Sequence, residues 1–369
     1  MSLMTRCVAS ALAFFSPAVW AAHQLNMTPG VTPTSERVYH LHMTIFYICV
    51  AIGVVVFGIM FYAILRHRKS LGYKPATFHE STTVEIIWTV IPFLILIAMA
   101  VPATRTLIAM EDSSNADLTV RITGYQWKWH YAYHDHDISF FSNLSTPIEQ
   151  IQNEAPKGEN YLLEVDNPLV LPIGKKVRFL GTSNDVIHSW WVPALAVKKD
   201  TIPGFINESW AFIKEPGTYR GQCAELCGIN HGYMPIVVEA VSEPEFLDWV
   251  AEKKAEKIRA KQAALEAWSM EALMEKGEEI YNRACVACHQ KDGTGMAGIF
   301  PALKGSPIAL NDMEMHIRIL LRGVPGTAMQ SFANQLDDAE IAAVITYERN
   351  AWGNDTGELV QPSEIRAAR

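Results

Sequence analysis

Long apolar runs occupy the N-terminal third of the chain, and short alternating ones follow. From Leu41 to Leu65 only uncharged, mostly apolar residues occur, and Arg66, His67, Arg68 and Lys69 follow at once. A second run, Val84 to Ile108, is interrupted only by Glu85 at its start and Arg105 near its end. Each is long enough to be a helix crossing a hydrocarbon layer of about 30 Å. Together they predict a transmembrane hairpin over 41–112. Lys and Arg cluster in the loop Arg66 to Lys74, which places that loop in the cytoplasm and everything after Met110 outside. Two buried helices of a soluble core are the alternative, and they leave the abrupt basic flank unexplained. Met1 to Ala21 has Arg6, an apolar stretch Val8 to Phe15 and small residues around Ala18 and Ala21. It reads as a cleaved signal peptide, since a short anchor would need about 20 apolar residues. Residues 22–40 would then form the mature N-terminal segment. Thr82-Thr83-Val84-Glu85 fits a capping box with Thr82 as the cap. Glu85 could equally collect protons at the cytoplasmic rim of the second span.

Beyond the hairpin the period changes to two. Leu118, Val120 and Ile122 alternate, then Trp127, Trp129, Tyr131 and Tyr133. The switch from even to odd positions across Gly124 is expected of a bulge that re-aims the aromatics. Further strand-like runs are Tyr161 to Val165, Lys176 to Leu180, Val186 to Val192 and Ile236 to Val241. With Pro and Gly between them they predict a small antiparallel β sandwich or barrel over 117–242.

Near the end of this unit stands Cys223-Ala-Glu-Leu-Cys227-Gly-Ile-Asn-His231-Gly-Tyr-Met234, with His188 on an earlier strand. Two thiols, two imidazoles and a thioether exceed the His2Cys-plus-Met set of a mononuclear blue-copper site by one Cys, which two bridged metals would explain. A Cys223–Cys227 disulfide and a zinc site are the competing readings, and zinc leaves Met234 without a role.

Glu243 to Lys276 is rich in Ala, Glu and Lys, with no Gly or Pro after Pro244, and reads as a solvated helical connector over 243–276. Cys285-Val-Ala-Cys288-His289 then has the spacing for covalent haem c attachment, with His289 on the iron. A redox dithiol or half a zinc site are the alternatives, but no later Cys completes the zinc site. An electron-transfer haem takes a soft axial Met. The candidates are Met296, Met313 and Met315 in an apparent helix Asn311 to Leu321, and Met329 in the loop Gly323 to Phe332, ahead of the helix-like Asp337 to Asn350. That order resembles a class I cytochrome c domain across 277–352, which implies Met329 as the second axial ligand, although Gln330 stands where many relatives have proline. Tyr281, Phe300 and Trp352 read as haem packing, and 353–369 as a tail.

Composition narrows the class. The chain is 49% hydrophobic and 19% charged with a net charge of −8. No basic run interleaved with aromatics exists for a nucleic-acid partner. The six cysteines divide into two pairs for metal and haem, with Cys7 in the leader and Cys49 in a span.

Val84-Glu85-Ile-Ile-Trp88, Gly124-Tyr-Gln-Trp127, Asp185-Val-Ile-His188-Ser-Trp and the Cys223 to Met234 loop closely resemble subunit II of cytochrome c oxidase, over about Tyr39 to Trp249. The resemblance implies a cupredoxin-like fold between the hairpin and an all-α cytochrome c domain. It implies a binuclear copper centre held by His188, Cys223, Cys227, His231, Met234 and the Glu225 carbonyl. The Glu225 side chain resembles a ligand for a non-redox metal, such as Mg, at the contact with subunit I. Trp127 matches the aromatic through which electrons enter copper, although an ordinary core tryptophan would look the same. Glu85 matches a proton-uptake entrance. The implied activity is delivery of electrons from an external cytochrome or similar donor, through haem c and then copper, to the haem-copper subunit I that reduces oxygen. Other oxidase subunits and a bacterial inner membrane are implied as well, with both redox domains on the periplasmic side. A nitric oxide reductase subunit and a copper-binding or metallochaperone module with an attached haem are the alternatives. A quinol oxidase subunit would lack the copper ligands.

Overall fold

The computed structural model describes residues 26–74, 77 and 79–369, so the signal-peptide reading of 1–21 lies outside the described residues. The two apolar runs are helices α1 (Pro33–Arg66) and α2 (Thr82–Glu111). α1 starts eight residues before Leu41, so part of the expected N-terminal segment is already helical. Their apolar stretches are unburied, and Val54, Phe57, Ile59, Phe93, Leu96 and Ile108 are exposed. That surface suits lipid as solvent. The hydroxyls of Thr89 and Thr106 bond carbonyls one turn back, at 2.8 and 2.9 Å. The capping box at Thr82 is corrected. The Ser81 carbonyl accepts the Glu85 N–H at 3.0 Å, so Ser81 stands at the cap and Thr82 is already helical. Glu85 falls at the fourth helical position, one beyond the reach of the box.

Ten strands build the sandwich. One sheet runs β3 (Ile138–Ser142), β2 (Lys128–Tyr133), β1 (Leu118–Tyr125), β5 (Lys176–Ser183), β8 (Asn207–Phe212). The other runs β4 (Leu169–Pro172), β10 (Pro235–Val241), β9 (Gly217–Cys223), β6 (His188–Val192), β7 (Val197–Thr201). Pairing is antiparallel except at β1–β5 and β10–β4, which are parallel. Val120, Ile122, Tyr131, Tyr133 and Phe179 from one sheet meet Leu169, Leu171, Val192, Ile236 and Val238 from the other in a buried core.

Two expectations change here. The shift in alternation across Gly124 is a chain reversal, not a bulge. β1 and β2 pair with Tyr125 opposite Lys128, leaving only Gln126 and Trp127 in the turn. Ile122 faces Tyr131 and Val120 faces Tyr133, so both sets point into the same core. The run Tyr161 to Val165 is no strand. Leu162 has φ 59°, in the left-handed region, and its N–H goes to Thr146 Oγ1 at 3.1 Å; only Val165 makes an isolated bridge.

The connector is not solvated throughout. Helix α3 (Glu243–Ala263) opens with a Ser242/Glu245 capping box and buries Phe246 and Val250 in the sandwich core, with Trp249 tilted against Tyr133 and edge-on to Phe140. It ends well short of Lys276. Helix α4 (Met270–Ala284), capped by Ser269, already belongs to the next core through Leu273. Helices α5 (Met313–Arg322) and α6 (Asp338–Asn350) follow, with a separate turn Pro307–Asn311 cut off from α5 by the Asp312 cap. α4 crosses α6 at Gly277, where the Ala343 carbonyl leaves no room for a side chain. Residues 353–369 are no loose tail. They carry α7 (Pro362–Ala368), bury Val360 and Ile365 in the helical core, and exchange two 2.9 Å bonds between Gln361 and the Trp268 backbone.

Candidate metal centre and haem site

The sulfur-rich loop leaves β9 at Cys223 and returns into β10 after Met234, while β6 starts at His188 beside it. Cys223 Sγ lies 3.9 Å from His188 Nδ1, 3.9 Å from Cys227 Sγ and 3.3 Å from the Glu225 carbonyl oxygen. Cys227 Sγ lies 3.4 Å from His231 Nδ1 and 3.5 Å from Met234 Sδ. All six donors expected from the sequence thus converge. His188, Cys223, Cys227 and Met234 are buried, and His231 is partly so. Both cysteines are free thiols, which does not fit the disulfide reading.

Glycine makes this close approach feasible at two points. A Cβ on Gly124 would come within 2.7 Å of the His188 ring, and one on Gly228, at φ 120°, within 2.9 Å of the Trp127 ring. Trp127 is half-buried against the sandwich core, and its Nε1 donates to the Cys227 carbonyl at 3.2 Å. Trp129 Nε1 donates to the Met234 carbonyl at 3.2 Å.

The electrostatics ask for a cation. A hydrogen bond from the Cys227 thiol pulls Cys223 down to about 4 against the opposing effect of burial, with His188 helping. Cys227 makes that bond only while protonated, so it is pushed up, with burial and the Cys223 charge adding to the effect. The pair alone keeps one proton; holding both as thiolates takes a metal charge between them. Burial disfavours the charged His188, but its bonds to Asp185 and Cys223 outweigh burial and raise its pKa. Asp185 Oδ1 sits 2.8 Å from His188 Nε2. A carboxylate can only accept, so Nε2 carries a proton and Nδ1, on the sulfur side, is the nitrogen that can give up its proton to bind a metal. Asp185 had no role in the sequence reading. Its carboxylate three residues ahead of an expected ligand histidine was the available signal.

In the helical unit Cys285 caps, and Cys288 lies within, the turn Val286–His289 that follows α4. Buried His289 has Nδ1 2.9 Å from the Pro301 carbonyl. Carbonyl oxygen only accepts, so Nδ1 is the protonated nitrogen and the Nε2 lone pair is free to accept a ligand. Burial pushes both thiols up, Cys285 more strongly. Met329 is half-buried against the core that Cys285 and Trp352 also touch, as is Met313. Met315 contacts Arg318 instead. Glu225 has an exposed side chain, and Glu85 is exposed in the first turn of α2.

Comparison with known proteins finds family matches in three parts of the chain. Residues 20–106 match the transmembrane domain of cytochrome c oxidase subunit II, and 118–241 match its periplasmic domain. Residues 272–347 match the family described as cytochrome c oxidase, cbb3-type, subunit III. A protein of Rickettsia felis named "Probable cytochrome c oxidase subunit 2" is 42% identical over 244 residues, covering 66% of this chain and 76% of that one. The chain belongs to the cytochrome c oxidase subunit II family. Within that family, the cytochrome c oxidase subunit 2 of Chondrus crispus is 39% identical over 62% of this chain and 91% of its own. The periplasmic domain of subunit II of cytochrome oxidase of Bradyrhizobium japonicum is 40% identical, covers 39% of this chain and 98% of that domain, and has a TM-score of 0.35. This subunit II carries a further cytochrome c domain at its C-terminal end.

Proposed function

We propose that this subunit is the electron-input arm of a membrane cytochrome c oxidase, carrying a binuclear copper centre and a covalent haem c. The convergence of two thiols, two imidazoles, a thioether and a carbonyl on one spot supports it most. When bound, the copper pair and the haem supply one-electron carrier chemistry between an external cytochrome-like donor and the haem-copper subunit I.

The chain's own residues prepare that chemistry. Cys223, Cys227, His188, His231, Met234 and the Glu225 carbonyl would hold the copper pair, their soft sulfurs and imidazoles favouring copper over hard cations. Asp185 fixes the His188 ring. Cys285 and Cys288 would attach the haem, with His289 and Met329 on its iron and Pro301 fixing the His289 tautomer. Trp127 covers the copper loop on the side of the β1–β2 turn. The exposed Glu225 carboxylate would hold a non-redox cation at the contact with subunit I. Glu85 would collect protons at the cytoplasmic rim of α2, with both redox domains on the periplasmic side of a bacterial membrane.

Metal and haem analysis of the purified complex is expected to give two coppers and one haem c for each copy of this chain, counted beyond the copper and haem that subunit I itself holds. One copper, or none, would overturn the reading.

A further inference from the structure

The two cofactor domains touch through loops that each carry expected ligands or their neighbours. Gln126, in the β1–β2 turn, donates from Nε2 to the Cys227 carbonyl at 2.8 Å, and its backbone N–H reaches Asp185 Oδ2 at 2.8 Å. Its own backbone carbonyl accepts from Gln330 Nε2 at 2.9 Å. Gln330 adjoins Met329, and its Oε1 accepts from Gln335 Nε2 at 3.1 Å, so the amide is held at both ends with its donor turned to Gln126. Nearby, the buried Lys128 ammonium lies 4.8 Å from the Phe332 ring of one domain and 5.3 Å from the Phe141 ring of the other. Proline, which many class I cytochromes c resembling this domain have at the Gln330 position, has no side-chain donor. The glutamine is therefore spent on the seam and not on the haem loop itself.

We infer that the hydrogen-bonded chain Met329–Gln330 to Gln126 to Cys227 is the electronic link between the haem domain and the copper domain, with Gln330 as its positioning residue. This rests on the cofactor assignment proposed above. Tunnelling falls off more slowly through covalent and hydrogen bonds than across a gap. Two hydrogen bonds here join the residue beside one expected iron ligand to the backbone of an expected copper ligand. In the step served, one electron leaves ferrous haem, which becomes ferric, and reduces the copper pair by one electron. No bond or proton changes at either glutamine. A reduced soluble one-electron carrier replenishes the haem.

The test uses the complete oxidase with Gln330→Met, which keeps the length and loses the donor, and Gln330→Arg, which restores one. Internal electron transfer is followed optically after pulsed photoreduction of haem c. Midpoint potentials, spectra and hydrogen exchange at residues 126–128 and 329–332 are measured on the same samples. Gln330→Met is expected to slow transfer about tenfold, equivalent to about 1.4 kcal/mol on an activation scale. Potentials, spectra and seam protection are expected to stay as they were, and Gln330→Arg to recover most of the rate. An unchanged rate, a slowing that accompanies lost seam protection or a shifted potential, or no recovery with arginine would overturn the inference. Missing copper or haem signals in the unmodified complex would instead sink the cofactor assignment, so the two failures are distinguishable.

Discussion

Replacing Gly277 with alanine tests how tightly the haem-binding unit is built. A Cβ at this position would lie 2.2 Å from the Ala343 carbonyl oxygen and 2.5 Å from the Tyr347 Cβ. Ordinary contact begins near 3.4 Å, so α4 and α6 must part by about 1 Å in an interior packed at crystal-like density. Overpacking of this kind costs about 1–3 kcal/mol and occasionally more. Here the obstacle is backbone on the partner helix, which places the cost at or above the top of that range. Alanine returns up to about 1 kcal/mol through helix propensity. The net loss is about 2 kcal/mol, or about 10 °C in midpoint for a unit of this size. Thermal unfolding followed by haem absorbance would read it, with the tryptophan signal of the sandwich as an internal control. An unchanged or raised midpoint would refute the close crossing at Gly277.

His130 is pushed down to about 4, mainly by burial and further by Arg121. Between that value and its ordinary 6.5 the unfolded chain binds the proton and the folded chain does not, so stability falls as pH drops through this window, by at most about 3 kcal/mol. His130→Phe is expected to flatten that part of a pH–stability curve, and an equal slope in both proteins would count against it. Met234→Leu should retain the proposed copper pair and shift its potential, because a weak thioether ligand tunes more than it holds; loss of copper on metal analysis would show a stronger role. Met329→Ala should abolish the Met-ligated haem spectrum while Met315→Ala leaves it intact, and the reverse pattern would move the axial ligand into α5.

What could be read in advance follows from locality. Cys223, Cys227, His231 and Met234 share one loop of twelve residues, so their spacing alone carried most of the centre. Cys285, Cys288 and His289 are equally local. The two spans were legible because a bilayer demands a length that few other structures need. What escaped depended on contacts distant in sequence or on backbone conformation. Phase switching in alternation looks the same for a bulge and for a two-residue reversal, and only the pairing of Tyr125 with Lys128 separates them. Tyr161 to Val165 has strand composition, yet the left-handed Leu162 bends it away. The last seventeen residues read as a tail because Val360 and Ile365 are isolated apolar positions whose partners lie on helices far earlier in the chain. Gln126 and Gln330 are 204 positions apart, and neither side chain advertises the other.

The anchoring of α3 on the sandwich has a consequence for reach. Phe246 and Val250 fix its first half, Lys257 pairs with Asp137 further along at 2.9 Å, and only six residues separate its end from α4. Fully extended, six residues span about 20 Å. A unit confined to so small a volume meets its neighbour at an effective concentration in the millimolar range or above. Encounter between the two redox domains then costs no diffusive search, and raising ionic strength should slow capture of electrons from a soluble donor far more than the handover inside the chain.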